Sequence, residues 1–155
     1  MEKLKYIVLA LAMLLATSLR ADDLTPEQQR YRAALMQFLS EEGYSPSIDE
    51  EDDLVFKKEG ELYWFSFSGN SGVYLEFHRA GFSFKDEQRA LLTLAANESN
   101  RTTRCAKAIV NSSTMSFAVE IYSHSVEDFK YTFYDFMSCL DAAYETVVDY
   151  FNEHN

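Results

Sequence analysis

The sequence predicts an α+β domain: one antiparallel five-stranded sheet with helices packed mainly on one face, in the order α-β-β-β-α-β-β-α. Three observations carry that expectation. Residues 53–79 contain three short runs with period-two alternation, separated by two turn signals. Residues 114–122 repeat the alternation after a third turn. Two other segments, around Tyr31 to Leu39 and Phe129 to Phe151, space their apolar residues three or four apart, as one helix face requires.

Residues 1–21 read as an export signal rather than as part of the fold. Lys3 and Lys5 precede an apolar run over 6–15, and small residues lead to Ala21. The run is too short for a comfortable bilayer span. Cleavage fits after Ala21 or, alternatively, after Ser18, and an uncleaved N-terminal anchor is the competing reading. No cysteine lies nearby to take a lipid, and no later segment is apolar enough to cross a membrane. The expected mature chain is a single domain over 22–155, periplasmic or secreted. Losing Lys3, Lys5, Arg20 and Glu2 takes the formal charge from −11 to −13 on 134 residues. So acidic a surface repels phosphate backbones and anionic headgroups, which argues against nucleic acid as a partner.

Thr25, Pro26 and Gln28 form a helix start, with a capping threonine, proline at the first helical position and a glutamine that completes the box. Tyr31, Leu35, Phe38 and Leu39, with Ala34 beside them, make its apolar stripe, and Gly43 ends it. Residues 44–47 form a turn or an extended link. The acidic run over 49–53 lacks the alternating ligand spacing and central glycine of a calcium loop, so it reads as a solvated turn.

In the first hairpin Gly60 supplies the positive φ, and residues 68–72 make a longer turn. Tyr63, Phe65 and Phe67 face one way; Leu62, Trp64, Ser66 and Ser68 face the other. In the next run Val73, Leu75 and Phe77 oppose Tyr74, Glu76 and His78. The second face carries more apolar surface than solvent requires. Either helices or a loop cover both sides, or Trp64 sits in an exposed patch used by a partner.

Residues 80–84 break the pattern. Residues 85–98 read as helical with Leu91, Leu94 and Ala95 inward, and 97–104 as a polar loop. Glycosylation acceptor triplets start at Asn97, Asn100 and Asn111, relevant only in a eukaryotic secretory route. Residues 105–110 and 114–122 form the second hairpin, with Met115, Phe117, Val119 and Ile121 opposite Ser116, Ala118, Glu120 and Tyr122. Ser125, with Asp128 reciprocating, opens the longest helix. Its stripe runs through Phe129, Phe133, Phe136, Leu140, Ala143, Val147 and Phe151.

No catalytic constellation stands out. His78, His124 and His154 are far apart and have no metal-ligand partner at helix or strand spacing. There is no Gly-x-Ser-x-Gly elbow, and neither cysteine has a positioned base. No metal, cofactor or catalytic residue is therefore expected. Cys105 and Cys139 form a disulfide if the long helix crosses near the second hairpin. Two buried free thiols are the other reading.

The element order, with the stretches FLSEEGYSPSIDEEDDLVFKKEGELYWF and TMSFAVEIYSHSVEDFKYTFYDFMSCLDAAYETVVDYF, resembles the YbjN-like family, which shares the type III secretion chaperone-like fold. The matching motifs are of the folding kind, Gly43-Tyr44 after the first helix and Val55-Phe56 entering the sheet. The resemblance implies one antiparallel sheet backed by helices, frequent dimers and no enzymatic centre. Secretion chaperones of this fold hold extended client segments in apolar grooves. They work in the cytoplasm, whereas this chain carries an export signal. The expected function is a non-enzymatic, exported protein-binding domain whose contacts are Trp64, Tyr63, Tyr74 and Leu62. A homodimer that uses the same patch is the alternative.

Overall fold

The computed structural model describes residues 24–68 and 73–155. The segment 1–21, expected to be an export signal, and most of the turn at 68–72 lie outside them. Helix α1 (Pro26–Glu41) opens on the expected capping box, Thr25 Oγ1 accepting from Gln28 N and Gln28 Oε1 from Thr25 N. Strands β1 (Ser47–Ile48), β2 (Leu54–Lys58), β3 (Glu61–Ser68) and β4 (Val73–Ser83) follow. A 3₁₀ turn, Asp86–Gln88, leads into α2 (Arg89–Thr102), and then come β5 (Lys107–Val110), β6 (Thr114–Ser123) and α3 (Val126–His154).

The sheet has six strands, not five, in the order β1-β2-β3-β4-β6-β5, every pair antiparallel. The element order differs accordingly. The extra strand arises because the acidic run closes a turn on itself. Asp49 Oδ1 accepts from the backbone of Glu51 and Asp53, and Asp52 takes a positive φ of 68°. Ser47 and Ile48 are thereby laid against Val55 and Leu54. Two residues are too few to show a period, so the link at 44–47 hid a strand. Arg32 of α1 anchors the turn through the Asp52 carboxylate at 2.8 Å.

β4 is the centre of the sheet. Leu54, Phe56, Tyr63, Phe65, Leu75, Phe77, Phe117 and Val119 line its inner face, all buried. Against them α3 lays Phe129, Phe133, Met137, Leu140, Ala143 and Val147. Phe133 stacks on Phe77 at 5.7 Å and meets Phe38 of α1 edge-on at 5.2 Å. α2 packs beside α3, with Ser99 Oγ donating to Ala143 O. Its inward residues are Leu92, Ala95, Ala96 and Ser99, and Leu94, expected inside, is 56% exposed. This helix also runs to Thr102, through residues read as loop, because its polar side chains bond locally: Thr102 Oγ1 back to Glu98 O, Arg101 to the Glu98 carboxylate.

Residues 80–84 do not leave the sheet. β4 continues through a bulge between Ala80 and Ser83. The bulge turns Phe82 toward the helix side, where it meets Tyr144 of α3 at 6.2 Å. Cys105 and Cys139 are joined in a disulfide, tying the approach to β5 to α3 across a Cα–Cα distance of 6.1 Å. Neither is a buried free thiol: Cys105 is exposed and Cys139 half-buried.

Candidate functional site

Each described helix packs on the inner face, so period-two alternation decides what the other face shows. On that outer face the register sets Trp64 beside Val55 and His78, and His78 beside Ala118. Leu62 is 38% exposed, Trp64 and Tyr74 are half-buried, and Tyr122 is 80% exposed. Tyr74 and Tyr122 pair across β4 and β6 with ring centroids 4.9 Å apart.

Tyr63 does not belong to this surface. It alternates to the inner face, is 2% exposed, and stacks on Phe56 at 5.4 Å. Its hydroxyl donates to Asp141 Oδ1 at 2.9 Å, and burial pushes its pKa up to about 12. Of the four predicted contacts, Trp64, Tyr74 and Leu62 share one face and Tyr63 is in the core.

The sequence reading gave no weight to Tyr122, or to what surrounds His78. The His78 ring lies flat on the Trp64 indole, centroids 4.6 Å apart and planes within 2°. Its Nε2 is 3.1 Å from Glu76 Oε2, while Nδ1 is buried without a hydrogen-bond partner. Burial lowers the pKa of His78 and outweighs the opposing pull of Glu76. The imidazole is therefore neutral at neutral pH. Alternation had already put Tyr122, His78 and Trp64 on outward positions of their own strands. What was hidden was the pairing of β4 with β6, which follows a long crossover and leaves no local signal.

His124 is exposed, and His154 stacks on Tyr150 at the end of α3. Among the described residues no group of three or more His, Cys, Asp or Glu is placed to hold a metal. No helix among them is long and apolar enough to cross a membrane.

A second polar cluster lies on the inner side, at the β2–β3 hairpin end. Arg79, only 6% exposed, has its Nε 3.0 Å from Asp141 Oδ1 and an Nη2 3.7 Å from Glu61. The Asp141 approach is off the N–H axis, so it is an ion pair without a hydrogen bond. The guanidinium also lies 3.8 Å from the Tyr144 ring centroid. A cleft of about 190 Å³ opens here, already occupied at its base by these mutually neutralising groups. The arrangement holds β4 to α3 through a partly buried ion pair.

The geometry defines a class first: an α+β domain in which one antiparallel sheet is backed by helices on a single side and carries aromatic side chains on the other. The YbjN family model, described as "Putative bacterial sensory transduction regulator", matches residues 31–153. The chain belongs to the YbjN family. No curated protein and no solved structure matches it.

Proposed function

We propose that this is an exported, non-enzymatic protein-binding domain that offers its outer sheet face to an extended peptide or protein partner. One observation carries the reading. The chain's single tryptophan lies on the face opposite the described helices, in company with Leu62, Tyr74 and the largely exposed Tyr122. Aromatic anchors on an otherwise unpartnered surface are the usual centre of a protein interface. A regulator, as the family is described, acts by engaging another molecule, which is consistent with this reading. Export rests on Lys3, Lys5 and the apolar run over 6–15, and the Cys105–Cys139 bridge suits an oxidising compartment.

The test compares Trp64→Ala with Leu94→Ala, which removes an exposed leucine on α2. Both variants should stay folded. Partner captured from the native envelope should be lost with Trp64→Ala and kept with Leu94→Ala. Equal capture by both variants would overturn the assignment of this face. Light scattering addresses the homodimer: a dimer that Trp64→Ala converts to monomer, with no partner captured by either form, makes the patch a self-interface.

A further inference from the structure

The outer face carries a charge arrangement that its own strands leave unbalanced. Ser66 pairs with Glu76, and Glu76 with Glu120, while the β2–β3 register brings Asp53 level with Ser66. Three carboxylates thus fall in one row across the sheet, and Glu76 and Glu120 stand directly opposite each other. Like charges in cross-strand register are destabilising, so the row needs cations. Lys107 Nζ supplies one, 2.5 Å from Glu120 Oε1. His78, the neighbour of Glu76, is held neutral by burial. No lysine or arginine among the described residues forms an ion pair with Asp53 or Glu76. Aromatic pairs flank the row, Tyr74 with Tyr122 on one side and Trp64 stacked on His78 on the other. Ring faces beside carboxylates suit a guanidinium or ammonium group, whose charge meets the acids while its stem covers the rings.

We propose that this face docks a cationic extended segment of a partner protein, its arginine or lysine heads along Asp53, Glu76 and Glu120 and its stems on Trp64, Tyr74 and Tyr122. The proposal rests on the protein-binding reading above and names the chemistry of the partner. Charge complementarity selects this occupant: the chain carries a formal −11. A second copy presenting the same face would set one acidic row near another.

Trp64 is the only tryptophan, so its emission reports binding at the site. The probes are three synthetic peptides of alternating valine with arginine, serine or glutamate. The arginine peptide should shift Trp64 emission saturably and bind roughly tenfold or more tighter than the serine peptide, with the glutamate peptide silent. Glu76→Gln with Glu120→Gln should weaken it by roughly tenfold without lowering the melting temperature, and Lys107→Met should strengthen it. Asp149→Asn with Glu153→Gln, on α3, should change nothing. An equal loss with that helix pair would reduce the effect to bulk charge and overturn the proposal. Equal binding of the arginine and serine peptides, lost in Trp64→Ala when both proteins are titrated by calorimetry, would overturn the cationic preference and leave the protein-binding face standing. Binding of none of the three would overturn both.

Discussion

Asp53 stands where the acidic turn enters β2, half-buried beside Ser66. Desolvation raises its pKa from 3.8 to about 6, against a lowering hydrogen bond from Ser66 and with added pressure from Asp49, Glu51 and Asp52. The folded state therefore holds this proton more tightly than the unfolded chain. Its contribution to stability is complete below 3.8 and lost as pH rises through about 6. Asp53→Asn cannot ionise, so its advantage over the native protein should appear at about pH 7.5 and be absent at about pH 4. Urea midpoints at the two conditions check this, and equal differences at both would contradict it. The run of acids was visible in the sequence. The strain on this one member was not, because it comes from burial against a strand that is distant until the hairpin closes.

The bulge of β4 and the bridge to α3 show how single elements are held. A Cβ added at Gly81 would stand 2.7 Å from the Met115 carbonyl oxygen and 3.0 Å from Phe117 Cε2. The first of these is backbone of the neighbouring strand and cannot swing aside. Gly81→Ala should cost roughly 1–3 kcal/mol, read as an earlier urea transition. The disulfide closes a 34-residue separation. In the chain-entropy model that is worth roughly 3–4 kcal/mol. Cys105→Ser with Cys139→Ser should lower the melting temperature by on the order of 10 °C, and reductant should bring the native protein to the same value. At the far edge of the sheet, Asn100 donates from Nδ2 to Ala108 O and accepts Ala108 N–H at 2.6 Å. Its carboxamide mimics a strand partner and blunts that edge against pairing with another chain. The same engagement ties up an acceptor nitrogen that the sequence alone offered for glycosylation.

Across the whole molecule the sheet is two-sided in energy as well as in shape. Phe133 is fully buried among Phe38, Phe56 and Phe77, so Phe133→Ala should cost roughly 3–5 kcal/mol. Tyr122, 80% exposed on the outer face, has little to lose: Tyr122→Ser should stay within about 0.5 kcal/mol. Chemical denaturation of the two variants compares the faces directly, and similar losses would deny the asymmetry. Much of this layout was legible beforehand. The stripes of α1 and α3, the capping box at Thr25 and the facing of Tyr63, Phe65 and Phe77 away from Trp64 and His78 follow from periods of 3.6 and 2, which any few consecutive residues express. Of the residues expected inside α2, Ala95 is buried but Leu94 is exposed and Leu92 takes the inner place, because the apolar positions allow two adjacent stripes and only contact with α3 chooses between them. The sequence by itself determined which side chains share a face and where most elements begin, since those are local properties of the chain. The tertiary structure alone decided the sixth strand, the insertion of β6 between β4 and β5, and the meeting of Asp53, Glu76 and Glu120 in one row. Each depends on register between segments far apart in the chain, and such register is fixed only when the whole core closes.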